Sequence, residues 1–298
     1  MPISEYVTDP DKRFQLSQSI AGVVQHKAVI VGVLLLAVVF FNFPIYYTFV
    51  SSLKSLDAIH AAPMELIPMN PIDPIWKNYA DLWTKRSFDA YTSNSIMIAV
   101  VTTAFVMVFG TLGGYGFSRF RFPYDNVVFI GILAARLLPP IGMLVPFFRF
   151  FQNLGLLNTE YALIIVYIYL NLPLAIWLMR NFFISIPVDL DEAAYVDGAT
   201  KFQTFKDVIL PIAKPGIAAV AILTFLFSWR EFLMALVMTL SPKAITVPVG
   251  ATMMVEDVVV LWNFLAGAAF LAMLPGLLFV IAFQRYIVTG LTSGAVKG

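Results

Sequence analysis

Long apolar runs alternate with short polar connections along this chain. Six runs are long enough to cross a bilayer as helices, which takes about 20 apolar residues each. They are Ala28–Val50, Ser95–Ser118, Val127–Phe148, Ala162–Met179, Ile217–Leu240 and Leu265–Phe283. The first starts behind a mostly polar stretch and no small-residue cleavage site follows it, so it reads as a span and not as a secretory leader. A further stretch, Ile245–Trp262, is interrupted by Pro248, Gly250 and the acidic pair Glu256/Asp257. It is expected to be a folded, non-helical outer loop.

Two spans carry internal punctuation. In the third, Pro139, Pro140 and Pro146 each remove a backbone donor and free an earlier carbonyl, which predicts a broken or kinked helix. In the second, Gly110 and Gly114 stand four residues apart, a spacing that lets two membrane helices approach closely.

Composition agrees with the pattern. With 60% hydrophobic and 12% charged residues, a soluble domain and a disordered chain are excluded. The 19 basic and 18 acidic residues nearly balance, which leaves no footprint for nucleic acid. Cysteine is absent, so disulfides, thiolate metal sites and a cysteine nucleophile are excluded, and His26 and His60 are too far apart in sequence to suggest a metal site. No glycine-rich loop ends in Lys-Ser/Thr, so the chain cannot cradle ATP phosphates by that device.

The basic residues set the orientation. Arg119, Arg121, Arg180, Lys201, Lys206 and Lys214 all fall on the side of the N-terminus, which places both termini in the cytoplasm. Most outer basic residues sit with acids in one long loop, Ser51–Thr92. That loop also holds Pro63, Pro68, Pro71, Pro74 and the aromatics Trp76, Tyr79 and Trp83, which suit either an interfacial belt or a docking surface.

The inner segment 187–216 reads as two short helices. Asp189 can cap the first, with Glu192 as its reciprocal partner, while Asp191 and Glu192 complement the helix dipole. Gly198 is placed to end that helix in a left-handed conformation. Thr200 can cap a second helix with Gln203 as partner, and Phe202, Phe205 and Ile209 form an apolar stripe along it. Pro211 is expected to end or kink this helix, and Pro215–Gly216 to break the chain again before span five. On these residues alone the segment reads as an interfacial elbow held by Phe202 and Phe205, and a DNA-binding helix-turn-helix is disfavoured because acids offset the basic residues.

Glu192-Ala193-Ala194, followed by Asp197-Gly198-Ala199 and Ile209-Leu210-Pro211, resembles the EAA motif of the permease subunits of binding-protein-dependent ATP-binding-cassette importers. Asn94-Ser95, Gly116–Phe122, Arg136–Pro140, Ser228–Phe232 and the tail Gln284–Gly298 are similar to the carbohydrate-uptake branch of that family. The chain departs from that branch at Arg230, where relatives often carry a smaller polar residue.

The resemblance implies an all-α membrane protein of six transmembrane helices with the type I importer permease fold. Residues 1–91 would form the tail, first helix and outer loop. Residues 92–287 would form the transmembrane core with its coupling loop 187–216, and residues 288–298 a cytoplasmic tail. Glu192, Ala193, Ala194, Asp197, Gly198, Ala199 and Phe202 would dock on an ATPase subunit. Pro248, Gly250, Met253 and Met254 would contact an external solute-binding protein. The implied assembly lies in the bacterial inner membrane and adds a second permease and two ATPase subunits, which bind ATP and Mg; this chain would hold no cofactor. A sugar, a polyol or an anionic sugar derivative would fit as solute.

Three charges remain inside spans: Arg136, Arg230 and Glu231. Intramembrane charges usually face a bundle interior or a wet cavity, so these either line a pathway or gate or form structural ion pairs. Glu231 or a carboxylate of the second permease is the expected partner of Arg136. The alternative function is a stand-alone secondary transporter, which would need a carboxylate relay and internal repeats; a non-transporting scaffold is the third reading.

Overall fold

The computed structural model describes residues 10–60, 76–256 and 259–292. Among these, the regular elements are helical apart from one antiparallel bridge between Val255 and Val260. The helices are α1 (Pro10–Ser52), α2 (Leu56–His60), α3 (Lys77–Lys85), α4 (Phe88–Arg119), α5 (Asp125–Ala135), α6 (Pro140–Asn153) and α7 (Glu160–Ser185). After them come α8 (Asp189–Val196), α9 (Lys201–Trp229), α10 (Leu233–Met238), α11 (Val247–Thr252) and α12 (Trp262–Thr292).

Among the described residues, five helical segments are long and apolar enough to cross a membrane: Lys27–Ser52 of α1, all of α4, α7 and α9, and Trp262–Phe279 of α12. The third apolar run is broken, as its prolines require. Helices α5 and α6 meet at a bend of 89°, and they make a sixth span if the pair is counted as one. Pro139 is extended at the bend and Pro140 opens α6, where a missing N–H costs nothing. Pro146 sits inside α6 without ending it.

The fifth run is redrawn. Its helix starts at Lys201 and stops at Trp229, short of Leu240. Pro211 does not end it: residues Thr204–Ile209 widen into a π-helical stretch just before it, which takes up the missing donor and the bulk of the ring. Pro215–Gly216 does not break the chain either. Pro215 lies within the helix, and Gly216 is there for space, because a Cβ would collide with the Phe182 ring.

Helices α4 and α7 form the centre of the bundle. A Cβ on Gly110 would stand 3.0 Å from the Ala175 Cβ, and one on Gly114 only 2.6 Å from the Met179 Cβ. The glycine pair thus does what its spacing predicts. Toward the α4 N-terminus, Phe88, Tyr91 and Ile98 join a core with Leu163, Tyr167, Met234 and Val249. Toward its C-terminus, Tyr115 packs with Phe183, Phe205 and Ile209.

Helix α1 stands at the edge. Leu36, Phe40 and Phe41 are 72%, 74% and 73% exposed, a surface suited to hydrocarbon. It rests on α12, where Phe49 and Phe270 lie 4.8 Å apart. Helix α3 closes the same end. Asn78 Nδ2 donates to the Ser52 and Lys54 carbonyls, both at 2.8 Å, and its Oδ1 accepts from Asn263 at 2.9 Å. Of the three loop aromatics, Trp76 and Trp83 are exposed, but Tyr79 is turned to the Ser52 hydroxyl at 2.6 Å and takes no part in a belt. Pro63, Pro68, Pro71 and Pro74 lie outside the described residues.

Gly114→Val is expected to lower the melting temperature of the detergent-solubilised protein, since overpacking typically costs about 1–3 kcal/mol. Gly116→Ala, where a Cβ meets nothing within 4 Å, is the control and should melt like the parent. Equal melting of all three would refute the packing role of Gly114.

Candidate functional site

Three places bring the sequence candidates together. The first is the loop between α7 and α9. Helix α8 ends in a complete Schellman turn: Gly198 is left-handed at φ 86°, its N–H donates to the Tyr195 carbonyl at 3.0 Å, and the Ala199 N–H donates to Ala194 at 3.0 Å. Thr200 and Gln203 then form the predicted reciprocal cap. The other predicted cap is absent. Val188, already in helical conformation, precedes the first residue of α8, so Asp189 lies inside the first turn and its side chain caps nothing.

Asp191 carries the orientation of this loop, a role that its place in the first turn did not reveal. Arg119 Nε donates to Asp191 Oδ2 at 2.9 Å, the Tyr115 hydroxyl donates to Oδ1 at 3.2 Å, and Arg119 Nη2 reaches the Ile186 carbonyl at 2.9 Å. Both charged side chains are buried, at 7% and 4% exposure. With the inner side fixed, Glu192, Ala193, Asp197 and Gly198 are exposed and Ala199 is half-buried. Ala194 is packed beneath them, so only the first of the two alanines is free for close approach by a partner. The apolar stripe divides. Phe205 and Ile209 are buried against Tyr115 and Phe183, while Phe202 is 69% exposed. Phe205 therefore does not anchor an interfacial elbow.

The second place is where the helix breaks meet. Helix α5 stops at Ala135 and α9 at Trp229, and both ends face Tyr169–Asn171 of α7. The Tyr169 hydroxyl donates to the Ala135 carbonyl at 3.1 Å, and Arg136 Nη1 donates to the Leu170 carbonyl at 2.6 Å. Glu231 caps α10: Oε1 accepts the Met234 N–H at 2.9 Å and Oε2 the Ala235 N–H at 3.2 Å. A cavity of about 480 Å³ opens here, lined by Arg136, Arg230, Glu231, Tyr169, Asn171 and Phe227 among others. All three predicted intramembrane charges thus share one cavity. The expected pairing of Arg136 with Glu231 is not formed. Among the described residues no ion pair includes either one, because the carboxylate is turned to the backbone of α10.

The third place is the loop between α10 and α12, which is not the non-helical hairpin that its Pro248 and Gly250 suggested. Pro248 opens the helical turn α11, and Gly250 lies so close to Tyr91 that a Cβ would strike the ring. Met254 is 1% exposed and Met253 44%. Gly250 and Met254 are therefore structural, and only Pro248 and Met253 are accessible. The loop is bound to the bundle by residues whose role no local pattern signals. Asn94 Nδ2 donates to the Pro242 and Ile245 carbonyls at 3.0 and 2.9 Å, and Ser95 Oγ accepts the Val247 N–H at 2.8 Å. Asn158, left-handed at φ 57°, accepts the N–H groups of Leu240 and Ser241 on its Oδ1 at 2.9 and 3.0 Å. Arg86 pairs with Glu256 at 2.8 Å; Asp257 lies outside the described residues.

The family described as binding-protein-dependent transport system inner membrane component matches residues 106–293, a stretch that holds the α8 loop and both helix breaks. The chain belongs to this family. The permease is therefore a multi-pass inner-membrane component of an ATP-binding-cassette importer and not an enzyme, and the stand-alone transporter reading is not favoured. It is 37% identical over 261 residues to the trehalose transport system permease protein SugB of Mycobacterium tuberculosis, covering 86% of this chain and 92% of SugB. It is 36% identical to the trehalose/maltose transport system permease protein MalG of Thermococcus litoralis, covering 71% and 76%. Its fold superimposes at a TM-score of 0.74, with 24% identity and coverage of 91% and 97%, on a chain of a bacterial ABC transporter involved in the import of the acidic polysaccharide alginate.

Removing one member of a buried ion pair typically costs about 3–5 kcal/mol. Asp191→Ala is accordingly expected to release α8 and speed limited proteolysis within residues 187–200. The double change Asp191→Leu with Arg119→Met should restore much of the protection. Unchanged proteolysis of Asp191→Ala would show that the pair does not hold the loop.

Proposed function

We propose that this permease forms one half of the translocation pathway for a sugar or sugar-like solute. It works with a second permease, two ATPase subunits that bind ATP and Mg on the inner side, and an external solute-binding protein. The observation that carries this reading is the α8 loop. Its inner face is locked to α4 by Arg119 and Asp191, and its outer face presents Glu192, Ala193, Asp197, Gly198 and Phe202 in a fixed orientation. A short, exposed and rigidly oriented helix is what a partner needs to push against. The carbohydrate solutes named for the two bacterial and archaeal relatives support the solute class.

In this reading loop 187–216 and both termini face the cytoplasm, in line with the bias of the basic residues. The N-terminal region, residues 1–91, joins the core, 92–287, where α1 rests on α12 and Asn78 bonds to Asn263; in the tail, 288–298, residues 293–298 lie outside the described residues. Arg136, Arg230 and Glu231 line the pathway. Pro248 and Met253 face the binding protein across the outer surface.

The test is assembly and coupling. The ATPase subunits should co-purify with the chain, and the binding protein with its solute should stimulate their ATP hydrolysis. Gly198→Val, which forces a β-branched residue into left-handed backbone, and Glu192→Lys, which reverses charge near a helix N-terminus, should abolish stimulation while the chain stays in the membrane. Normal stimulation in both variants would sink the coupling role.

The chain has no cysteine of its own, so labelling is clean. Cysteine at Met253 should react with a membrane-impermeant thiol reagent added outside, and docking of the binding protein should protect it. Cysteine at the buried Met254 should stay unreactive in both states. Identical labelling at Met253 with and without the binding protein would count against the contact.

A further inference from the structure

The cavity between the helix breaks holds two guanidiniums and one carboxylate. The carboxylate, Glu231, is occupied by the backbone of α10. Arg136 uses one nitrogen on the neutral Leu170 carbonyl, and the Arg230 guanidinium has no hydrogen-bond acceptor among the described residues. Both guanidiniums lie on the same ring, 5.9 and 4.5 Å from the centre of Phe227. Stacking on a ring offsets part of the cost of a cation, but it consumes none of the N–H donors of the fork. Two cationic forks thus face one cavity with a single carboxylate, neither is ion-paired with it among the described residues, and an excess of positive charge remains at membrane depth, where charge is expensive and marks function by default.

A neutral sugar would supply hydroxyls to these donors and leave the charge uncompensated. A carboxylate, sulfonate or phosphate would neutralise it through paired, charge-assisted hydrogen bonds, the geometry that a guanidinium favours. The volume of about 480 Å³ lies within the range of small-molecule sites. We propose that this cavity is a subsite selective for an anionic solute, in which Arg136 and Arg230 receive the acidic group of a sugar-like molecule and Phe227 packs against its carbon skeleton. This rests on the importer reading above and narrows its solute class.

The rival occupant of the forks is a carboxylate of the second permease, and the experiment separates the two. The chain is purified with whatever subunits accompany it, without the binding protein. Equilibrium dialysis then compares labelled D-glucuronate with D-glucose. Glucuronate should be retained at least about ten-fold more strongly, the scale of one charge-assisted bond. Arg230→Gln should erase the preference, and Arg230→Lys, which keeps the charge but not the fork, should retain part of it. Equal retention of the two solutes overturns the proposal, as does unchanged glucuronate retention in Arg230→Gln. Loss of the second permease from Arg230→Gln but not from Arg230→Lys also overturns it, since the charge then serves the subunit interface. Absence of ATPase subunits from the purified assembly would sink the importer reading instead, and the dialysis would still decide the anion preference.

Discussion

The close approach of α4 to α7 is the constraint on which the rest of the permease depends. Two helices in hydrocarbon gain little from burying apolar surface, because lipid is as apolar as leucine, so close packing has to hold them. Gly110 and Gly114 bring the backbones together against Ala175 and Met179. With that seam fixed, α4 becomes a rigid rod with a loop attached at each end. Near its N-terminus, Tyr91, Asn94 and Ser95 hold the α10–α12 loop; near its C-terminus, Tyr115 and Arg119 hold α8. Tyr91 and Tyr115 are about 36 Å apart along the helix at 1.5 Å per residue. One element thus spans the distance between the α10–α12 loop and α8.

A second constraint shapes the cavity. Backbone polar groups at membrane depth must find partners within the protein. The breaks after Ala135 and Trp229 expose such groups, and nearby side chains satisfy them: Tyr169 takes the Ala135 carbonyl, and Glu231 takes two N–H groups of α10. Glu231 thus caps a helix while it lines the cavity. Using it as a cap has a further effect. It keeps the carboxylate from pairing directly with Arg136 or Arg230, and two guanidiniums against one carboxylate leave the cavity positive.

What was legible in the sequence follows from the range of each signal. Spans, the broken third helix, the glycine seam, the Gly198 turn and the Thr200–Gln203 cap all depend on residues within a turn or two of one another, and spacing shows them. The failures share another cause. Asp189 has the right spacing for a cap, but the chain enters α8 already helical at Val188. Pro211 looks like a stop, but a π-helical turn absorbs it. Met254 and Gly250 sit in a polar-punctuated loop, yet Met254 is buried in the core and Gly250 is pressed against Tyr91 of α4, far away in sequence. Asp191, Asn94 and Asn158 act across 72 to 151 residues, and the spacing of neighbouring residues does not show which distant backbone or side chain each one meets.

The nature of the Arg119–Asp191 contact bears on how α8 is held. A buried ion pair is weak evidence for stability, since a well-packed apolar pair often holds as firmly. What it adds is direction. Three donors, from Arg119 Nε, Arg119 Nη2 and the Tyr115 hydroxyl, converge on Asp191 and the Ile186 carbonyl, and they are satisfied together in one orientation of α8. An apolar contact would let α8 slide over α4 at little cost. The charged one makes sliding leave buried polar groups unpaired, so α8 is held to α4 in one orientation. The same logic holds at the far end, where Asn94 and Ser95 bind loop backbone by hydrogen bonds and not by packing alone. Polar locks at both ends and a glycine seam between them are how a bundle in lipid, where apolar attraction is indifferent to register, keeps α8 and the α10–α12 loop in a fixed relation.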